Sequence, residues 1–272
     1  MNKSLLEILT LSTDYLRSKS IEPARRMAEE ILADALDLQR VALYTNFDRP
    51  LTSSEMDRCR ERVVRRGKGE PSAYIHGSVE FLGCDLIVTP AVLIPRPETE
   101  VWVEKTLVQL PEKAIVWDVC TGSGCIGIAL KKHRPDLQVT LSDISSEALA
   151  VARQNALHNQ VDVNILQGDL LTPFQGLRAD VLFCNPPYIS SAEYAALDPQ
   201  VRLFEPKLAL ESGPTGLEFY QRLATVISGH SQTVYLEIGY SQGEALLKLF
   251  PKGTVEKDYA GHDRLFILKE FI

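Results

Sequence analysis

The spacing of apolar residues changes twice along this chain. Up to about residue 70 it is helical, as in Leu5, Leu6, Ile8 and Leu9 and again in Met27, Ile31, Leu32, Ala35 and Leu36, so each segment carries one apolar stripe suited to a small helical core. Pro23 suits a first helical turn, where a missing N–H costs nothing. Thr52 followed by Glu55 has the spacing of a capping box and opens the helix that carries a run of arginines. From Tyr74 to Val92 the residues become β-rich and are broken by Gly77 and Gly83, the pattern of a hairpin. The stiff turn Ile94-Pro95-Arg96-Pro97-Glu98-Thr99-Glu100 then feeds a helix through Val108.

Beyond that helix, strand-like runs alternate with helical ones. Strands are predicted at 114–119, 137–143, 161–167, 179–184, 232–238, 254–258 and 264–269, with helices near 124–132, 145–158, 217–228 and 241–250. Such alternation predicts an α/β fold built on a doubly wound, mostly parallel seven-stranded sheet. The domain plan is a helical domain over 1–72, a β-hairpin linker over 73–93 and an α/β domain over 94–272. Residues 189–216 interrupt the alternation. They are rich in Pro, Ser and Glu, and a connection of that length in a compact domain predicts a functional lid.

Composition narrows the class. Of 272 residues, 45% are hydrophobic and 24% charged, enough to bury a core and unlike a disordered chain. No apolar run approaches a membrane span, and Glu7 and Asp14 suit neither a secretory signal nor a transit peptide, so a cytoplasmic protein without membrane contact is expected. Five cysteines, at 59, 84, 120, 125 and 184, include no CxxC pair and read as buried small hydrophobes. Five histidines lack ligand spacing, and no metal is expected. The net charge is −7, and all of the acidic excess falls after residue 80. Duplex binding calls for a basic face. The one basic run, Arg58, Arg60, Arg62, Arg65, Arg66 and Lys68, reads as a solvated helix face, so direct nucleic-acid binding is not expected.

Candidate chemistry gathers at the ends of the strands. The first α/β strand carries Asp118 and runs into Cys120-Thr121-Gly122-Ser123-Gly124-Cys125-Ile126-Gly127. Gly122, Gly124 and Gly127, with the acidic Asp143 about twenty residues on, match a dinucleotide fingerprint, which keeps a dehydrogenase in view. Asp118 argues the other way: it would repel a pyrophosphate but suits the cationic amino group and sulfonium of S-adenosyl-L-methionine. Asp143 can accept from ribose hydroxyls. Asp169 can accept from an adenine amino group with Leu170 against the ring, although a turn cap also explains Asp169. The expected cofactor set is therefore Asp118, Cys120, Thr121, Gly122, Ser123, Gly124, Asp143, Asp169, Leu170 and Asn185.

The fourth α/β strand ends in Asn185-Pro186-Pro187-Tyr188. Prolines have no N–H, so this turn offers carbonyl oxygens and the Asn185 amide with few competing donors. It can hold a planar NH2 group by both hydrogens and aim the nitrogen lone pair at an electrophile. Asn185, Pro186 and Tyr188 are the expected catalytic residues and, with Pro187, the expected substrate-binding residues; Tyr188 would pack on the flat amide.

These motifs resemble the HemK-like family of protein-(glutamine-N5) methyltransferases, and the likeness spans most of the chain. It is carried by Leu93 through Glu100, Asp118 through Gly127, Asn185-Pro186-Pro187-Tyr188, Glu205-Pro206-x-x-Ala209-Leu210, Leu236-Glu237-x-Gly239 and Gly261-x-Asp263-Arg264. The resemblance implies a class I, Rossmann-like methyltransferase domain. It also implies a Gly-Gly-Gln glutamine of peptide-chain release factors as methyl acceptor, docking by the helical domain, and a role in translation termination; a monomer is expected. One departure is visible: the family loop usually has glycine where this chain has Cys120. Asn185-Pro186-Pro187-Tyr188 is shared with nucleobase amino-methyltransferases, which remain an alternative, as does a non-catalytic release-factor-binding module.

Overall fold

The structure, a computed structural model, describes residues 3–269. Its contacts divide the chain into two units, one running through Gly77 and taking in Pro199–Phe204, the other Ser78–Asp198 with the chain from Glu205 onward.

The first unit holds α1 (Leu5–Ser18), α2 (Ala24–Ala35), α3 (Arg40–Tyr44), α4 (Ser53–Gly67) and α5 (Ser72–His76). Reciprocal capping boxes open α1 at Ser4 and Glu7 and α4 at Thr52 and Glu55, satisfying N-terminal amides that would otherwise lack partners. Pro23 sits at the N-cap of α2, one position before the predicted first turn. Leu5, Leu9, Leu16, Ile31, Leu32 and Cys59 form a common core. The arginines of α4 are not simply a solvated face. Arg58 Nε donates to Ala35 O at 3.0 Å, Arg62 pairs with Asp34, Arg65 bonds Glu70 through two nitrogens at 2.7 and 2.8 Å, and Arg66 is buried. Their charge goes into bracing this unit.

The second unit opens with a hairpin, β1 (Ser78–Phe81) and β2 (Cys84–Ile87), turned by Leu82 and Gly83, both at positive φ as in a type I′ turn. It groups with the α/β unit rather than standing as a separate linker. There follow α6 (Pro97–Leu107), β3 (Ile115–Val119), α7 (Cys125–His133), β4 (Gln138–Asp143), α8 (Ser146–His158), β5 (Asn164–Gln167) and β6 (Ala179–Cys184). The remainder is β7 (Ile189–Ser190), α9 (Ser191–Ala196), α10 (Pro199–Phe204), β8 (Glu211–Gly213), α11 (Glu218–Val226), β9 (Ser231–Glu237), α12 (Gly243–Leu249), β10 (Thr254–Lys257) and β11 (Asp263–Lys269). α10 belongs to the first unit.

Seven strands form one sheet in the order β10-β11-β9-β6-β3-β4-β5. The five from β9 to β5 run parallel, and β11 and β10 are antiparallel additions at one edge. Side chains alternate across β3: Val116 joins one core with Leu130 and Val139, while Trp117 and Val119 join the other with Phe174 and Tyr220. The chain reverses direction across the sheet at β3, with β4 on one side and β6 on the other, and such a switch point opens a crevice at the strands' carboxyl ends. Residues 189–216, which the sequence leaves without regular elements, hold short ones in the structure. Ser190 and Glu193 close a capping box on α9, and β7 pairs in parallel with β8.

Candidate active site

A cavity of about 280 Å³ opens at that switch point. The β3–α7 loop forms one wall. Cys120, Gly122 and Gly124 take φ of +58°, +55° and +85° there, the left-handed region that suits glycine best, and Cys120 adopts it where the family pattern has glycine. A Cβ built on Gly122 would meet nothing within 4 Å, so its bare backbone faces open space that a ligand can fill. At Gly127 a Cβ would lie 2.2 Å from Leu141 Cδ2, so this glycine serves the close packing of α7 on the sheet.

Asp118 lies beneath this loop and does not line the cavity. It points to the same side of β3 as Val116, towards α7. Its Oδ2 accepts from Thr121 Oγ1 at 2.5 Å and from Gly127 N at 2.9 Å, and its buried Oδ1 has no partner. Burial pushes its carboxyl up to about 7, against the hydrogen bonds from Thr121 and Gly127. Asp118 therefore braces the loop from below, a different place from the ligand-facing one expected of it.

Asp143 ends β4 and does line the cavity. Its Oδ2 accepts from Gly122 N and its Oδ1 from Ser145 N, both at 2.9 Å, which fixes the carboxylate and leaves lone pairs for a diol. Burial raises its carboxyl above the usual range. Asp169 and Leu170 line the cavity as well, with Asp169 paired to Arg222 of α11. Ile144 completes this end; it lines the cavity while 48% exposed, and nothing in a lone apolar residue after Asp143 marked it in the sequence.

Asn185 and Pro187 line the opposite end, whereas Pro186 is buried and neither it nor Tyr188 lines the cavity. Asn185 Nδ2 donates to Thr99 Oγ1 at 3.3 Å. The Tyr188 ring packs with the second core, its hydroxyl donates to Glu237 Oε1 at 3.3 Å, and its carbonyl accepts from Gln242 Nε2 at 2.8 Å. The tetrapeptide is thus anchored at its far end, leaving Asn185 at the cavity. Glu205, buried, covers the lip: Oε1 accepts from Arg96 Nη2 at 2.6 Å and Oε2 from Ile94 N at 3.1 Å. This carboxylate ties the Ile94–Arg96 turn to the cavity-lining stretch Pro206–Ala209. Glu237 lies deeper, its carboxyl raised by burial against donors from Thr99, Trp102 and Tyr188 and the nearby Arg264 charge.

The open backbone at Gly122 and the oriented Asp143 carboxylate suit a ligand that carries a diol. Sheet order, glycine loop and cavity together define a class I methyltransferase. In fold it is similar to the crystal structure of a methyltransferase from Pyrococcus furiosus, at TM-score 0.52 and 18% identity over 78% of this chain and 98% of that one. Residues 99–204 match the methyltransferase small domain and residues 7–77 the PrmC N-terminal domain. The release factor glutamine methyltransferase of Chlamydia trachomatis is 48% identical over 97% of this chain and 93% of its own length; that of Geobacter sulfurreducens is 41% identical over 92% and 89%. The chain belongs to the release factor glutamine methyltransferase family.

Proposed function

We propose that the chain transfers the methyl group of S-adenosyl-L-methionine to the side-chain amide nitrogen, N5, of the glutamine in the Gly-Gly-Gln loop of peptide-chain release factors, working as a cytoplasmic monomer. The observation that carries this reading is Asn185: it stands at the carboxyl end of β6, in the cavity wall, with its amide nitrogen already engaged by Thr99.

Bound S-adenosyl-L-methionine supplies a methyl group made electrophilic by its sulfonium. In this reading Asp143 would hold the ribose hydroxyls, Asp169, Leu170 and Ile144 would flank the adenine, and Cys120 to Gly124 would receive the methionine portion, with Asp118 bracing that loop from below. A carboxamide nitrogen is a weak nucleophile because its lone pair is delocalised into the carbonyl. Asn185 Oδ1, in the cavity wall, accepts from the substrate amide N–H, favours the rehybridised nitrogen and aims its lone pair at the methyl group; Pro186, buried behind the wall, shapes the turn rather than touching the amide. The nitrogen would take the methyl group as the sulfur–carbon bond breaks and its electron pair returns to sulfur, leaving S-adenosylhomocysteine, and would give up one proton to solvent, since the methylated cationic amide is acidic. Pro187 borders the amide, while Tyr188 holds the turn from beneath. Release-factor docking is assigned to the N-terminal helical residues, where Leu11 and Val41 are exposed.

Incubation with labelled cofactor and purified release factor, followed by mass spectrometry, tests the reading. Label on the loop glutamine is expected; binding of cofactor and release factor without transfer of label overturns it. Asn185→Ala is expected to lower turnover by roughly 10²–10³, the usual effect of removing one preorganised polar group. Near-normal single-turnover methylation by that variant defeats the assignment. Light scattering should find one species at the mass of a single chain.

A further inference from the structure

Glu237 ends β9, the neighbour of β6, is 1% exposed, and takes no part in the proposed transfer. Three side-chain donors converge on its carboxylate. Oε2 accepts from Thr99 Oγ1 at 2.5 Å and from Trp102 Nε1 at 2.9 Å, and Oε1 accepts from the Tyr188 hydroxyl at 3.3 Å. Thr99 Oγ1 also lies 3.3 Å from the Asn185 amide.

Donor counting turns these contacts into a direction. An indole N–H can only donate, and the hydroxyl oxygen of a carboxyl group accepts poorly, so any proton on Glu237 resides on Oε1 and Oε2 also takes the single hydroxyl hydrogen of Thr99. Thr99 Oγ1 then has only lone pairs left for Asn185. The Asn185 atom on that side must be the nitrogen, which settles on chemical grounds an orientation that carboxamide shape alone leaves open. Asn185 Oδ1 is left as the acceptor at the other end of the group, and both Thr99 and Asn185 border the cavity.

We propose that Glu237, acting through Thr99, is a positioning residue that sets which end of the Asn185 carboxamide is presented to the methyl-accepting amide. This rests on the reading of Asn185 as acceptor of a substrate amide hydrogen. Trp102 is the element that fixes the polarity, because it cannot reverse its role.

Thr99→Val keeps the shape and removes the hydroxyl. Turnover should fall roughly tenfold to a hundredfold, less than for loss of Asn185 because the freed carboxamide still visits the right orientation. Affinity for S-adenosylhomocysteine, measured by calorimetry, should stay within about threefold, and Thr99→Ser should restore turnover to within about threefold, since its hydroxyl has the same donor and acceptor capacity. In the folded protein the Asn185 Nδ2 proton should resist solvent exchange by NMR in the wild type and Thr99→Ser but not in Thr99→Val, a reading independent of activity. Wild-type turnover in Thr99→Val, or Thr99→Ser as slow as Thr99→Val, overturns the inference. Should Thr99→Val fail to fold, Glu237→Gln decides: Trp102 forces the new amide oxygen into the Oε2 place, so turnover within about threefold of wild type is expected, and a folded but strongly impaired Glu237→Gln overturns the relay. A wild-type enzyme that leaves release-factor glutamine unmethylated removes the functional reading instead, and the exchange experiment still judges the relay.

Discussion

Asp118 shows how one side chain can be correctly noticed and wrongly placed. Its position before the glycine loop is visible in the sequence, but the face it occupies is set by strand parity, and parity directs it beneath α7 rather than into the cavity. This has a cost that pH exposes. The folded carboxyl titrates near 7 against an ordinary value of 3.8, so the folded state holds this proton more tightly than the unfolded one. Stability from this group is greatest at acid pH, declines as pH rises from about 4 to 7 at up to about 1.4 kcal/mol per pH unit, and levels off above. Asp118→Asn, neutral and similar in shape, should therefore lose less stability between pH 5 and pH 8 than the wild type in urea titrations. Parallel losses in the two proteins would show that the carboxyl is ionised throughout. Asn185 and Asp143 were legible because they end strands next to turn residues. Thr99 and Glu237 were visible only as motif members, since 138 positions separate them and nothing along the chain announces their contact.

Among the elements, those with a repeating pattern were legible and those too short to repeat were not. β6 falls where its apolar run predicts, and β3, β4 and β9 begin or end within a residue of prediction, because buried parallel strands read as continuous apolar runs. β7, with two residues, and α9, with six, cannot display a period, so 189–216 read as a loop. The tie between hairpin and glycine loop was equally hidden. Asn155 of α8, fully buried, accepts from Ile87 N at 2.7 Å and donates to Ile87 O at 3.0 Å and Ser123 O at 2.8 Å. Asn155→Ala strands these backbone groups and should lower unfolding free energy by about 2–4 kcal/mol. It should also weaken S-adenosylhomocysteine binding, because the same amide steadies the loop. Unchanged urea midpoint and affinity would mark Asn155 as a passenger.

For the whole molecule, charge separates the competing acceptors. The net charge is −7, and Arg58, Arg62 and Arg65, the obvious basic candidates, are engaged in internal bonds. With these three arginines committed internally, release-factor methylation should stay within about twofold when duplex DNA is added in excess at low salt, where phosphate binding is strongest. Marked inhibition that salt relieves would instead restore a nucleic-acid substrate to consideration. The relay from Glu237 through Thr99 to Asn185 carries a consequence for biosynthesis. Its three members are 86 and 138 positions apart along the chain, and contacts so remote close only after the intervening polypeptide exists. During synthesis the glycine loop and the tetrapeptide both emerge well before β9 does. A nascent chain halted ahead of β9 would possess every residue that touches substrate and still leave the decisive oxygen unaimed, so competence should arrive only with the last strands.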